Sequence, residues 1–512
     1  MPNNSANNKR IAKNTLMLYL RMLFLMVVHL YTSRVVLRAL GVEDYGIYNA
    51  VGGFVAMFSM ISTSLSGAIS RYITFSLAKD SMERLKVVFS TTVIIQFILC
   101  ALFVVFGETV ALWFLNYKMV IPEGRVFAAN WVLQLSVITF VVNLMSLPYN
   151  ALLIAHERMS AFAYIGIYEG CASLCIALLI SISPIDALIF YALLMCLVSV
   201  SIRLLYGRYC SHHFEESRFQ WTYDRTLIRE LFGFAGWNFV GTASGVLRSQ
   251  GINILINLFC GPAVNAARGL AMQVNRAISQ FSANFTTAVR PQITKSYAVG
   301  DRKTYETLCM KCSRFSFLIL MVLCLPIIFE ADYIMKLWLV EVPQYATEFV
   351  QIILILTLVE SYSHSLIYLL LATGDIKKYQ LLVGGIQLLN FPLAYIILKL
   401  GITPVATVGS VIFVALICLA LRLKLVHDMM SFPVLLFLKR VILRTITVFV
   451  ICMVPAFIIT VFLQEGWLRL IVNILIIELV CAFVILSIGM TKGERNFVFV
   501  RISNIIKNVK KI

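Results

Sequence analysis

Residues Arg268–Arg290 read "RGLAMQVNRAISQFSANFTTAVR". The stretch holds three arginines, no acid, and the amides Gln273, Asn275, Gln280 and Asn284, in a chain that is 60% hydrophobic. It is either a water-soluble helix between membrane spans or a span whose polar side faces water or an anion. Its spacing decides between them. Asn265, Gly269, Gln273, Arg276, Gln280, Asn284 and Thr287 follow one another by three or four residues, which at about 100° per residue is one helix face. Leu270, Ala271, Val274, Ile278, Phe281 and Phe285 occupy the other side. At roughly 1.5 Å per residue the segment is long enough to cross a bilayer core, with Arg276 near mid-depth. The reading is a membrane span with one polar stripe.

The rest of the chain agrees. Only 13% of its 512 residues are charged, and apolar runs of about 20 residues recur from end to end, the length a helix needs to cross a bilayer. A helix satisfies its own backbone hydrogen bonds, and the period-2 pattern of an outer-membrane barrel is absent. The expected fold is an all-α polytopic membrane protein of fourteen spans: 15–37, 47–69, 87–107, 127–148, 160–182, 186–206, 234–258, 266–288, 314–337, 347–371, 379–399, 404–426, 441–463 and 467–489. The basic start with Lys9, Arg10 and Lys13 precedes a retained first span rather than a cleaved leader. With the N-terminus inside, inner segments hold about 30 Lys/Arg and outer loops about seven, the positive-inside asymmetry that orients membrane proteins. Both termini are therefore expected on the cytoplasmic side of the membrane.

That asymmetry accounts for the formal charge of +18, and no basic run interleaved with aromatics points to nucleic acid. Twelve cysteines are scattered mostly through apolar runs and read as small hydrophobes. The single CxxC, Cys309–Cys312, lacks the second ligand pair that a zinc site requires. Neither a metal site nor a cofactor is expected.

An internal repeat organises the spans. Ile73-Thr74-x-Ser76-x-Ala78 recurs as Ile293-Thr294-x-Ser296-x-Ala298, and "ETVALWFL" from Glu108 is echoed by "EADYIMKLWL" from Glu330. "ALLIAHERM" from Ala151 is echoed by "YLLLATGDI" from Tyr368. These matches predict two pseudo-symmetric six-helix lobes, 1–206 and 230–428, joined by a cytoplasmic linker at 207–229. Spans 13 and 14 form an appended pair at 429–490, and 491–512 is a basic tail at the membrane surface. An even number of spans per lobe gives both the same orientation, the architecture of a transporter whose site lies between its halves.

The polar spans are the first two of each lobe. Span 1 carries Asn14, Arg21, His29, Thr32 and Arg34. Span 2 carries Asn49, Gly52, Ala56, Ser59, Thr63, Ser66 and Ser70, with Arg71 near its end. Span 7 carries Asn238, Thr242, Gly245, Ser249, Asn253 and Asn257, with Arg248 off that stripe. Small residues four apart also serve close helix packing, so the arginines are the sharper signal. A buried arginine costs several kcal/mol in lipid and faces water, a partner or a ligand. The expected cationic cavity is lined by Arg21, Arg34, Arg71, Arg248, Arg276 and Arg290, with Asn253, Gln273, Gln280 and Asn284. Arginine's planar fork suits phosphate oxygens. Intramembrane acids are few: Glu169, Glu360 and Glu478. Glu169, and Glu360 with His364 one turn on, are candidates for coupling to H⁺ or Na⁺, or for structural pairing with the arginines. Glu478 reads as locally paired.

"LGVEDYGIYNAVGG" (Leu40–Gly53), "PYNALLIAHERM" (Pro148–Met159) and "GPAVNAARGLA" (Gly261–Ala271) give the chain a resemblance to bacterial O-antigen and lipid-linked oligosaccharide flippases. These belong to the multidrug/oligosaccharidyl-lipid/polysaccharide (MOP) exporter superfamily. Gly41, Tyr45, Gly46 and Tyr48 fit that family's short signature after span 1. Fourteen spans also resembles the lipid II flippase branch, where the extra pair lines a groove for the lipid tail. The resemblance implies alternating access between two lobes. An undecaprenyl-pyrophosphate-linked oligosaccharide would enter the central cavity while its tail stays in the bilayer. Alternatives are a drug or cation antiporter of the same superfamily, or a polyprenyl-sugar polymerase or glycosyltransferase of the same pathway. Glu43-Asp44 is an acidic pair that the enzyme reading could use, and otherwise an ordinary solvated turn.

Overall fold

The computed structural model describes residues 4–79, 82–156, 158–339, 341–373, 377–491 and 493–496. The side chains of residues 4–22 and of some isolated positions fall outside that description, Arg21, Arg71 and Asn238 among them. So does the expected surface tail beyond residue 496. All regular structure among the described residues is helical.

The helices are α1 (Asn4–Ala56), α2 (Ser59–Lys79), α3 (Met82–Phe106), α4 (Leu112–Tyr117), α5 (Val126–Ala155), α6 (Met159–Leu179), α7 (Ala187–His213), α8 (Arg225–Val246), α9 (Ile252–Cys260) and α10 (Pro262–Ala298). They continue as α11 (Arg302–Phe329), α12 (Ala331–Trp338), α13 (Ala346–Ala372), α14 (Lys377–Tyr379), α15 (Gly385–Leu388), α16 (Asn390–Lys399), α17 (Ala406–Met430), α18 (Val434–Phe437), α19 (Arg444–Phe462) and α20 (Trp467–Val484). Single π-helical turns interrupt several spans, at Gly107–Ala111, Leu247–Gly251, Gln380–Gly384, Leu438–Leu443 and Ile485–Gly489.

Eleven stretches among the described residues are long and apolar enough to cross a membrane, and the chain is a multi-pass membrane protein. Apolarity alone does not reach the expected fourteen. The three expected spans without a stretch of their own are 47–69, 234–258 and 266–288. These are helical, and their serines, threonines, asparagines and arginines lower their hydropathy.

Two expected boundaries need correction. The first outer loop, expected to be about ten residues, is a one-residue break at Gly41 within α1, where φ is 78° and ψ 171°. Glycine reaches that region without a Cβ penalty, so the helix is interrupted there and resumes at once. Span 2 is not continuous from 47 to 69. It breaks at Met57–Phe58 and resumes as α2. The Phe58 ring sits against Phe103 and Phe106 at the break, at 5.0 and 4.6 Å between centroids.

The chain forms two compact units: residues 1–270 with 339–346 and 387–407, and residues 271–338 with 347–386 and 408–512. In the first, α5 packs on α7, α1 on α6 and α2 on α8. One apolar core gathers Ile47, Val51 and Val55 of α1 with Val132 and Leu133 of α5 and Leu188 of α7. The second half of α1, continued by α2, lies against α8, α9 and the start of α10. Small residues let these backbones approach closely. A Cβ on Gly46 would fall 1.9 Å from the Pro262 carbonyl oxygen, and one on Gly53 2.7 Å from the Asn253 amide nitrogen. Farther along, the Ser64 and Thr242 hydroxyls meet at 2.7 Å, and the Tyr72 hydroxyl donates to Glu230 at 3.1 Å.

In the second unit α11 packs on α19 and α20, so the appended pair is integral to it. Glu330, fully buried at the end of α11, accepts from Arg469 at 2.9 Å and from Asn473 at 2.6 Å on α20. Midway, the Tyr362 and Thr445 hydroxyls meet at 2.6 Å. Glu478, expected to pair locally, is half-buried with no hydrogen-bond or ion-pair partner among the described residues.

Candidate functional site

The opening stretch divides in character along its own length. Arg268 is 7% exposed. Its guanidinium donates to the Asn253 side-chain oxygen at 3.2 Å and to the Ser249 carbonyl at 3.1 Å. Asn253 in turn donates to the Asn49 carbonyl at 3.2 Å. Ser249 lies in the π turn Leu247–Gly251. The same turn carries Arg248, half-buried, and Gln250. Arg268 was absent from the expected ligand set. Its place five residues before Gln273 offered no signal separating a packing arginine from a ligand-facing one. Asn253, expected at the ligand, is buried in this helix-packing network.

Farther along α10, in the second unit, the stripe opens. Arg276, Gln280 and Arg290 are exposed, and Gln273 and Asn284 are half-buried. The Gln280 amide donates to Asn284 at 3.3 Å. Arg290 lies over the Tyr368 ring at 5.3 Å. Asn275, off the stripe, accepts from Thr357 of α13 at 2.5 Å and from Ser279 at 3.0 Å, so one side of α10 is anchored while the arginine side stays open. In the first unit Arg34 is likewise exposed on α1. No carboxylate pairs with Arg34, Arg276 or Arg290 among the described residues. The side chains of Arg21 and Arg71 lie outside the described residues.

The acids fall elsewhere. Glu169 is exposed on α6. Glu360 and His364 are half-buried one turn apart on α13, and His364 feels the charges of both Glu360 and Arg422. Arg422 is a residue the sequence reading passed over: it is buried on α17, donates to Ser363 at 3.0 Å and faces the Tyr379 ring at 6.0 Å. Glu330, whose repeat partner Glu108 accepts from Gln134 at 3.1 Å, was noted only as part of the repeat.

At the end of the bundle that carries the first expected outer loop, Arg125 bridges two aspartates. It donates to Asp44, with its Nε at 2.7 Å, and to Asp186, with one Nη at 2.5 Å. Asp186 also caps α7, accepting from the Leu188 and Ile189 backbone N–H groups. Asp44 is therefore committed to an ion pair rather than a solvated turn. Among the described residues no cluster of three metal-ligating side chains occurs.

An all-helical, multi-pass chain with arginine-bearing polar helices has the fold of MOP-superfamily transporters. Lipid II flippase MurJ in an inward closed conformation superposes with a TM-score of 0.70 at 13% identity, covering 92% of this chain and 98% of that one. An inward-facing multidrug resistance transporter of the MATE family gives 0.66 at 12%, covering 79% and 96%. A MOP superfamily transporter from Pyrococcus furiosus, whose structure is described by a reversed polarity of its binding pocket, gives 0.58 at 12%, covering 80% and 94%. A family model described as "Polysaccharide biosynthesis protein" matches residues 11–297, more than half of the chain, and the chain belongs to that family. No curated protein sequence matches it.

Proposed function

We propose that the protein is a flippase. It moves an undecaprenyl-pyrophosphate-linked oligosaccharide across the bacterial inner membrane by alternating access, for surface polysaccharide such as the O-antigen of lipopolysaccharide. The observation that carries this reading is the set of exposed arginines, Arg34, Arg276 and Arg290, that no carboxylate neutralises among the described residues. Each such charge is costly in a membrane unless it meets water or an anion, and a pyrophosphate supplies oxygens that the guanidinium fork binds in pairs. Gln273, Gln280 and Asn284 on the same face are suited to hydrogen-bond a glycan. Arg21, Arg71 and Arg248 are further proposed contacts, and both termini are placed in the cytoplasm.

A site for cationic drugs would call for carboxylates where α10 presents arginines. Glu169, Glu360 and His364 are proposed to couple transport to H⁺ or Na⁺. The test is Arg276→Ala. Surface polysaccharide is expected to disappear while protein level and membrane insertion stay normal, and Arg276→Lys is expected to restore part of it. Undiminished polysaccharide in Arg276→Ala would remove the anion-binding role. For coupling, export by Glu360→Gln is measured against an imposed proton or sodium gradient; a variant that loses export yet keeps the wild-type gradient dependence counts against a relay.

A further inference from the structure

The appended helix pair brings together a second group of cations, apart from the α10 stripe and wholly within the second unit. Lys311 and Arg314 stand about three turns into α11, where the expected span 314–337 begins, Arg440 in the π turn leading into α19, Arg444 at the first position of α19, and Arg495 eleven residues beyond the end of α20. The span order puts all five at one end of the bundle, which the chain's charge asymmetry assigns to the cytoplasm. Among the described residues one carboxylate serves them. Glu494 accepts from Arg314 at 2.5 and 2.6 Å and lies 3.9 Å from the Lys311 ammonium.

The other arginines are held without being neutralised. Span 14 ends at this side in a π turn, Ile485–Gly489, and carbonyls of that turn and of Met490 just after it are taken up by guanidinium groups. Arg444 donates to the carbonyls of Ile488 at 2.5 Å and Met490 at 2.8 Å, and Arg495 to that of Ser487 at 2.7 Å. The charges acting on Arg444 are those of Arg314, Arg495, Arg440 and the single Glu494. Arg314 is 5% exposed, and its Nε, like that of Arg495, is buried without a hydrogen-bond acceptor. Arg440 is exposed and has no carboxylate partner among the described residues. Lys492 and residues 497–512 add no aspartate or glutamate, so no acid side chain is held in reserve there.

Five cations around the one carboxylate found there among the described residues, with two guanidinium Nε–H groups lacking acceptors, are a site built for an anion with several oxygens. Its position at a membrane-facing helix end selects one that resides in the bilayer. We propose that Lys311, Arg314, Arg440, Arg444 and Arg495 bind the phosphate of an anionic phospholipid headgroup in the cytoplasmic leaflet, fastening the appended pair to the lipid surface. Basic pockets between spans on the cytoplasmic side have the chemistry for such headgroups. The site does not depend on the cargo assigned to α10.

The test uses the full-length protein purified in detergent and titrated by native mass spectrometry. The probes are dioleoylphosphatidylglycerol, dioleoylphosphatidylcholine and inorganic phosphate. The wild type is expected to retain phosphatidylglycerol about tenfold better than phosphatidylcholine, the scale of one or two charge-assisted contacts. Lys311→Gln with Arg440→Gln, both exposed positions, is expected to erase that preference with an unchanged melting temperature in lipid-free detergent. Lys311→Arg with Arg440→Lys is expected to keep it. Equal retention of the two lipids by the wild type overturns the proposal, as does undiminished preference in the double Gln variant. Displacement of phosphatidylglycerol by millimolar inorganic phosphate overturns the lipid assignment, since it identifies a free anion site. If the double variant does not fold, Arg440→Gln alone is read, with about a threefold loss expected and no change again decisive against.

Discussion

Gly41 and Gly261, 220 residues apart, hold the same backbone conformation: φ 78° and ψ 171° at one, φ 82° and ψ −179° at the other. Each separates one helix from the next with no further loop. The spacing equals that between Ile73-Thr74-x-Ser76 and Ile293-Thr294-x-Ser296, so the repeat extends from side chains to backbone geometry. A Cβ would meet nothing within 4 Å at either glycine, which leaves backbone strain as the cost of any other residue. Gly41→Ala and Gly261→Ala are each expected to lose about 1–3 kcal/mol, read as a lower melting temperature in detergent. Gly245→Ala, at a helical position with open space around it, is the control and is expected to lose nothing.

Arg268 and Arg276 lie two turns apart on one helix and should separate cleanly by substitution. Arg268→Ala leaves the Asn253 and Ser249 oxygens without their donor. It is expected to cost roughly 2–4 kcal/mol, at about 1–3 kcal/mol per buried group left unmade. Arg276→Ala removes an exposed side chain and is expected to change stability by under about 0.5 kcal/mol. Thermal melts of the two variants side by side decide this. Equal losses would show that Arg276 is as structurally engaged as Arg268.

The aspartate that caps α7 makes its corner of the first unit sensitive to acid. Burial pushes the Asp186 carboxyl up, but the Arg125 hydrogen bond, the Ile189 and Leu188 backbone N–H groups and the Arg125 charge outweigh it, so it titrates below the ordinary aspartate value. A carboxyl lowered in this way adds stability that is fully present above its unfolded pKa, about 4, and lost as pH falls through the folded value. Asp186→Ala is therefore expected to lower the melting temperature at pH 7 by an amount equivalent to about 1 kcal/mol, the scale of a lost N-cap. As pH falls below the ordinary aspartate value of about 4 and through the lowered folded value, the difference from wild type should shrink. A gap that stays constant across this range would assign the effect to packing instead.

The buried Glu330–Arg469 pair predicts an asymmetry between single and double changes. Glu330→Gln or Arg469→Met alone strands a charge and is expected to cost about 3–5 kcal/mol, whereas both together recover most of the loss. A double variant as unstable as the sum of the singles would show that the two do not act as a pair.

The helical class and the polar stripe of α10 were legible because both rest on periodicity: Gln273, Arg276 and Gln280 follow one another at three- and four-residue spacing. The break at Met57–Phe58 was not legible. It coincides with ring contacts from Phe58 to Phe103 and Phe106, which are about 45 residues away and leave no local trace. The division of labour between Arg268 and Arg276 was hidden for a related reason: Arg268 donates to a carbonyl within the π turn at Leu247–Gly251, and nothing in "LRSQG" marks a widened turn. Arg422 and Glu330 escaped because the partner of each lies on a distant helix, Ser363 on α13 and Arg469 on α20.

The Glu330–Arg469 contact also bears on how the protein is made. A ribosome delivers Glu330 to the membrane 139 residues before Arg469. During that interval the nascent chain holds an acid whose counter-charge has not been synthesised, at a position fully enclosed in the finished protein. The last hairpin then arrives carrying an arginine that has a prepared berth. A chain ended before residue 467 would keep that vacancy open for membrane quality control to detect.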